Sequence, residues 1–267
     1  MGERPARRDA DDIVTDVTTT FLVEVVTRLD RLAEGSNADA FEAAGKLIVA
    51  ALDAGGVVQA FGTGHSEAFA MEIAGRAGGL IPTNRIALRD VVLFGERDVA
   101  ELAGATLERD ASVVAELLDG VSLHPADVFM IASNSGVNGS IVEMALRAKD
   151  RGHDVIAITS LEHTNAVTPK HESGKRLCDV ADVVIDNLAP YGDTTITLDH
   201  PLGGVGVGAV SSITAAFVAQ VLTIMVARRL SETGGRPPVY ISANIPGGDE
   251  HNHALEDRYR GRIRRSP

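Results

Sequence analysis

Residues 128–160 read VFMIASNSGVNGSIVEMALRAKDRGHDVIAITS, and this stretch decides the fold. An apolar, β-branched run at 128–132 meets a turn of small hydroxyl and amide side chains. Helical periodicity follows over about 138–151, and a second apolar run closes the segment at 155–159. Strand, turn, helix and strand in that order make one right-handed βαβ unit. The turn of such a unit lies at the carboxyl edge of a parallel sheet, where the next helix directs its unpaired N–H groups. Ser133, Asn134, Ser135 and Asn138 add polar side chains there, and Gly136 lets the backbone close around an anion. Used only for local hydrogen bonds, the same residues would simply cap a helix.

Working outward, VVQAFGTGHSEAFAMEIAGRAGG at 57–79 repeats the design, with GTGHS turning a strand into a helix. Gly62 and Gly64 free the backbone and Ser66 supplies a donor, so the two turns are expected to converge on one ligand. The GxG lacks the full dinucleotide spacing, no acidic residue is placed for a ribose, and no Walker loop is present, so a nucleotide cofactor is not expected. Further strands are read at 183–185 and near 80–82, and helices at about 66–77, 107–119 and 207–231. Alternating elements of this kind predict an α/β fold with a parallel sheet covered on both faces. Ahead of it, Ile13, Val17, Phe21, Val25, Leu29 and Leu32, then Phe41 to Leu52, show helical spacing. The predicted division is therefore an N-terminal helical hairpin over 1–56, packing on the core or on a second subunit, and an α/β domain over 57–267. Residues 162–176, broken by Pro169 and Gly174, read as a long loop beside the sheet's carboxyl edge.

The chain has 267 residues with 37 acidic and 25 basic side chains, a formal charge of −12 that repels nucleic acid and anionic membranes. An anionic substrate must then be held by local backbone dipoles. One cysteine, Cys178, permits no intrachain disulfide, and no uninterrupted apolar run reaches membrane-spanning length, so a reducing, cytoplasmic setting is expected. No ligand spacing demands a metal.

The pairing of GTGHS with SNSGVN, followed by IVEMALRAKDRGHDVIAITS, resembles the sugar isomerase (SIS) domain of phosphoheptose isomerase, glucosamine 6-phosphate synthase and N-acetylmuramic acid 6-phosphate etherase. GHS, RAGGL, SGKRL, ADVVIDN, PYGD and GGDEHN extend a closer likeness, almost end to end, to bacterial sugar isomerase domain-containing proteins. The resemblance implies a three-layer sandwich and a phosphorylated sugar as ligand. It also implies a phosphate held by the serine-rich turn at Ser133, Ser135 and Asn138, with Ser66 from the first turn. Phosphoheptose isomerase and the etherase carry a Glu ten residues after the first-turn serine; here that position is Arg76.

A base must therefore stand elsewhere. Glu72, one helical turn before Arg76, is the leading candidate, with Glu96 after VVLF and His65 in the first turn behind it. A surface ion pair is the plainer reading of Glu72 and Arg76. Arg76, balancing the charge of Glu72, His171 in the long loop, and Glu250, His251 and Asn252 after Gly247–Gly248, are further contributors, the last three through the neighbouring subunit of a homodimer or larger homo-oligomer. Carboxylates and histidines around a phosphosugar point to proton abstraction at carbon 2. An acetamido group there favours elimination, so the expected activity is an amino-sugar 6-phosphate lyase or dehydratase, with N-acetylglucosamine 6-phosphate as an example substrate. Aldose–ketose isomerase is the alternative, and a non-catalytic phosphosugar sensor is the reading from another class.

Overall fold

A computed structural model describes residues 10–35, 37–232 and 234–265. Side chains are described from residue 14, so Ile13 of the expected apolar stripe lies outside them. Two helices come first, α1 (Ala10–Ala33) and α2 (Ala38–Asp53). The chain then alternates β1 (Val58–Gly62), α3 (Glu67–Ile73), β2 (Thr83–Ile86), α4 (Asp90–Leu93), α5 (Thr106–Arg109), α6 (Val113–Asp119), β3 (Val128–Ala132), α7 (Gly139–Asp150) and β4 (Asp154–Thr159). After α8 (Leu161–Ala166), α9 (Leu177–Val180) and β5 (Val183–Asp186), a small antiparallel hairpin of β6 (Ile196–Leu198) and β7 (Val205–Val207) precedes α10 (Ser211–Glu232) and α11 (Gly248–Glu256).

The five-stranded sheet runs β2-β1-β3-β4-β5 and is parallel throughout, with Val58 opposite both Thr83 and Val128. Alternate side chains of its buried strands feed two cores, as the two-residue period of a strand requires. Val58, Ala60, Met130 and Ile156 pack under α2, α3 and α10, while Phe61, Phe129, Ile131 and Val155 pack under α6 and α7. The result is a three-layer α/β sandwich. Helix α2 belongs to one of its helical layers, with α3 and α10, burying Phe41, Ala44, Ile48 and Ala51. Helix α10 is long and apolar enough to cross a membrane by length and composition, yet here it buries Val218, Leu222 and Val226 in the first core.

Strand order reverses between β1 and β3: the chain leaves β1 for β2 on one side, and β3 leads to β4 and β5 on the other. The connections above these two strands diverge and leave a crevice at their carboxyl ends, the usual ligand position in open α/β sheets. Both turns singled out in the sequence lie there.

Several elements differ from the sequence reading. The helix expected over 107–119 is broken between α5 and α6, and the loop expected over 162–176 begins within α8. The strand expected near 80–82 forms at Thr83–Ile86, because Leu80 and Ile81 instead meet the C-terminal segment: Leu80 bridges Val239, and Ile81 N–H donates to the Pro238 carbonyl. The helix expected over 66–77 ends at Ile73, ahead of Gly75 at φ +80°, so Arg76 stands beyond it.

Candidate functional site

The second turn is organised by what happens to its carbonyls. Asn134 C=O accepts from Ser160 N–H at 3.2 Å and Thr159 Oγ1 at 3.3 Å. Gly136 C=O accepts from Leu177 N–H at 2.8 Å, and Val137 C=O from Lys170 N–H at 3.3 Å. All these donors come from the β4 side of the turn. In a trans peptide the N–H opposes its carbonyl, so tying back these three carbonyls turns the Ser135, Val137 and Asn138 N–H groups away from the β4 side. Asn138 C=O, taken by Ile141 and Val142 N–H, leaves Gly139 N–H at the open start of α7. These four N–H groups, with Gly136 N–H spent on Ser133, make a cradle of the kind that suits an anion at a helix start.

Each polar side chain then has a definite place. Ser133, buried, accepts from Gly136 N–H at 3.1 Å and closes the turn. Asn134 is bound through Oδ1 by Asn187, which ties the turn to the end of β5. Ser135 is half-exposed on the turn, and Asn138 is the residue before α7. Gly136, at φ +64°, has Thr164 Oγ1 only 2.9 Å from where a Cβ would stand.

The first turn faces this cradle. His65 is exposed and Ser66 half-buried, and both line a small cavity with Ser133, Asn134 and Asn187. Ser211 and Ser212 at the start of α10 complete its wall. About 10 Å³ of it admits a water centre, the room of one water. Asp193, at φ +54°, caps α10 there by accepting from Val210 N–H, Ser211 N–H and Ser211 Oγ.

The structure brings in a carboxylate that sequence reading passed over. Glu108, on α5, lies between the two turns: Thr63 Oγ1 of the first is 3.4 Å and Asn138 Nδ2 of the second 3.5 Å from its Oε2. Two glycines make the room. A Cβ on Gly64, at φ +56°, would lie 3.0 Å from Glu108 Oε1, and a Cβ on Gly139 would lie 2.3 Å from the Arg109 carbonyl. Ser140 Oγ donates to Glu108 C=O at 2.8 Å and fastens α5 to the start of α7. Sequence reading ran one helix over 107–119, whereas Asp110 breaks it by accepting from Ser112 N–H and Oγ. That D-x-S capping pattern was the available signal.

Other expected contributors stand away from the turns. Glu72 bonds Arg76 and Gln220 Nε2 of α10, six residues past Ser66 or about 9 Å down the helix direction. Glu96 is exposed after α4. His171 is buried against Glu143 of α7, on the wall of a separate open cleft of about 620 Å³. His251 Nε2 meets the Val239 carbonyl at 2.9 Å, and Asn252 pairs both ways with the Ile241 backbone, so these two fasten α11 to the C-terminal segment; Glu250 is exposed. Among the described residues no group of three or more His, Cys, Asp or Glu side chains is arranged to hold a metal ion.

A parallel α/β sandwich with a serine-rich cradle at its strand-order switch has the architecture of the SIS class, and comparison with known proteins agrees. The chain belongs to the SIS domain family, whose model matches residues 20–160. It is 36% identical over 230 residues to a UPF0309 protein of Listeria monocytogenes, covering 86% of this chain and 92% of that one. A UPF0309 protein of Brucella canis is 36% identical over 249 residues, covering 93% and 98%. Among solved structures, a phosphoheptose isomerase from Francisella tularensis superposes with a TM-score of 0.53 at 16% identity, covering 80% of this chain and 98% of that one, a likeness of fold.

Proposed function

We propose that this protein is a sugar-phosphate enzyme that holds the phosphate on the 133–138 cradle and removes the proton at carbon 2. The observation that carries the reading is the placement of the Glu108 carboxylate between the two turns, beside a cradle of backbone N–H groups. A phosphate on the cradle is bound by charge-assisted hydrogen bonds, and the sugar then extends across the crevice toward Glu108 and the first turn. Position within reach of the transferred proton is the first requirement of a general base, so Glu108 takes precedence over Glu72, Glu96 and His65. His65 and Ser66, on the opposite lip, are placed to serve a departing or reprotonated oxygen.

Loss of a carbon 3 substituent from the resulting enolate gives a lyase or dehydratase, and reprotonation at carbon 1 gives an isomerase. We favour elimination on an amino-sugar 6-phosphate, since an acetamido group at carbon 2 disfavours ketose formation. Incubation with hexosamine, hexose and heptose phosphates in deuterated water, followed by mass spectrometry, tests both the substrate and the step. Glu108→Gln is expected to lower turnover by about a hundredfold or more and to abolish exchange of the carbon 2 hydrogen, while phosphate-dependent binding persists. Exchange at the wild-type rate in Glu108→Gln, with loss in Glu72→Gln, would return the role to Glu72. Sugar-phosphate binding with no turnover across the panel would favour a sensor.

A further inference from the structure

The strongest side-chain cluster outside the crevice centres on His171, in the segment between α8 and α9. Ser173 N–H points at His171 Nδ1 at 3.1 Å, which makes Nδ1 an acceptor and leaves the hydrogen on Nε2. Nε2–H then donates to Glu143 Oε2 at 3.0 Å, and Ser173 Oγ, 2.8 Å from Nδ1, donates to the same lone pair. Lys175 N–H bonds Ser173 Oγ at 3.3 Å, and Gly174 N–H closes onto the His171 carbonyl at 3.0 Å. One imidazole thus holds a tight 171–174 turn against α7 through Glu143, whose other oxygen is taken by Arg147. At the far end of the segment, Arg176 bonds the Thr164 and Val167 carbonyls.

The residues on either side of this turn make contacts of a different kind. Lys170, the residue before His171, donates to the Val137 carbonyl, and Leu177, after Arg176, donates to the Gly136 carbonyl. Across their trans peptides these two bonds turn the Asn138 and Val137 N–H groups away from the 170–177 segment. We propose that His171 is a positioning residue for the anion cradle: by fixing the 170–177 segment on Glu143, it keeps two cradle N–H groups aimed at the ligand's phosphate without touching the ligand. The proposal rests on the cradle being the phosphate site. It predicts a separation of effects, because α5 and its Glu108 are fastened to α7 by Ser140 and Gly139 and not by the 170–177 segment.

The test is calorimetric titration of inorganic phosphate into wild type, His171→Ala, His171→Gln and Ser135→Ala, with KM and kcat measured on whichever sugar phosphate is turned over. His171→Ala is expected to weaken phosphate roughly tenfold or more, by misaligning donors, and to raise KM with kcat held within about twofold. His171→Gln, which keeps an N–H donor toward Glu143, should recover part of the loss. Phosphate affinity equal to wild type in a folded His171→Ala overturns the proposal. Absence of phosphate binding by wild type removes the cradle as the phosphate site and the proposal with it, whereas loss in Ser135→Ala but not in His171→Ala removes the proposal alone. Should His171→Ala fail to fold, Ser173→Ala, altered at an exposed position, takes its place with amide hydrogen exchange followed at Lys170 and Leu177. Faster exchange together with weaker phosphate supports the clamp, and unchanged phosphate affinity overturns it.

Discussion

Two residues of the serine-rich turn carry separable burdens. Ser135 is half-exposed on the turn, and as a donor to the phosphate its loss in Ser135→Ala is expected to weaken sugar-phosphate binding by about 1 to 3 kcal/mol, the range for a hydrogen bond to a charged group. Displacement by inorganic phosphate measures it, and unchanged affinity in the folded variant removes the hydroxyl from the site. Gly136 serves the backbone. Its φ of +64° and the 2.9 Å to Thr164 Oγ1 both oppose a side chain, so Gly136→Ala combines about 1 to 2 kcal/mol of left-handed strain with a clash that must move Thr164 or the turn. A fall in thermal midpoint together with lost phosphate affinity is the expected result.

At the scale of elements, the contact between α5 and α7 sets intrinsic propensity against packing. In a helix, Ala is preferred to Gly by about 1 kcal/mol, so Gly139→Ala alone favours α7. The Arg109 carbonyl, 2.3 Å from the new Cβ, cannot give way without moving α5, and Glu108 moves with it. Gly139→Ala is therefore expected to lower kcat more than it lowers the melting temperature, and full activity would count against Glu108.

Helix α4 supplies a second test, in pH. Burial raises the Asp90 carboxyl above its ordinary value, against the Ala87 N–H bond and the nearby Arg264 and Arg85, with Glu67 adding to the rise. The folded protein then holds this proton more tightly than the unfolded chain, so stability contributed at Asp90 falls as pH rises from the ordinary aspartate value through the raised one. Asp90→Asn, which keeps an acceptor for Ala87 N–H, should gain on wild type in thermal midpoint as pH climbs through that window. Parallel curves for the two proteins would show that Asp90 adds no such dependence.

Strand β3, helix α7 and both turns were legible in the sequence because their signals are local: a β-branched run, a small-residue turn and a 3.6-residue period. The shift of β2 to Thr83 was not, since it depends on Val239 reaching Leu80 from the other end of the chain. Ser133, Ser135 and Ser66 were found as turn residues. Glu108 escaped because the Asp110-x-Ser112 pattern marks only the end of its one-turn helix, while the place of the carboxylate is fixed by Gly64 and Gly139. Glu72 was favoured by an i,i+4 pair with Arg76, which does form, but beside Gln220 and down the helix from the turns.

At the scale of the whole molecule, one cluster of exposed apolar side chains joins two elements. Val14, Val17, Leu22, Val23 and Val26 are exposed on α1, and the β6–β7 hairpin adds Leu198, Val205 and, at its tip, Leu202 at 92% exposure. Phe21 joins the two, lying against Gly208 just after β7. Apolar surface of this extent is suited to covering by another copy, and twofold dimers are the commonest closed form. Light scattering at micromolar concentration is expected to give the mass of a dimer or larger assembly, and Val17→Asp with Val23→Asp to lower it. A monomer with full activity would defeat the expectation.

The tied-back carbonyls of the second turn have a thermodynamic corollary. Thr159, Ser160, Lys170 and Leu177 all lie outside the 133–138 turn, so a peptide of that turn alone has no reason to keep its N–H groups aligned. With phosphate held on the turn as proposed, its affinity would be a property of the folded chain and absent from the unfolded one, making the ion a stabiliser by mass action. At a hundredfold excess over its dissociation constant it would add about 2.7 kcal/mol to the free energy of unfolding. A melting curve recorded with and without phosphate, for wild type and for Ser135→Ala, separates that gain from the general stabilisation phosphate gives any folded chain.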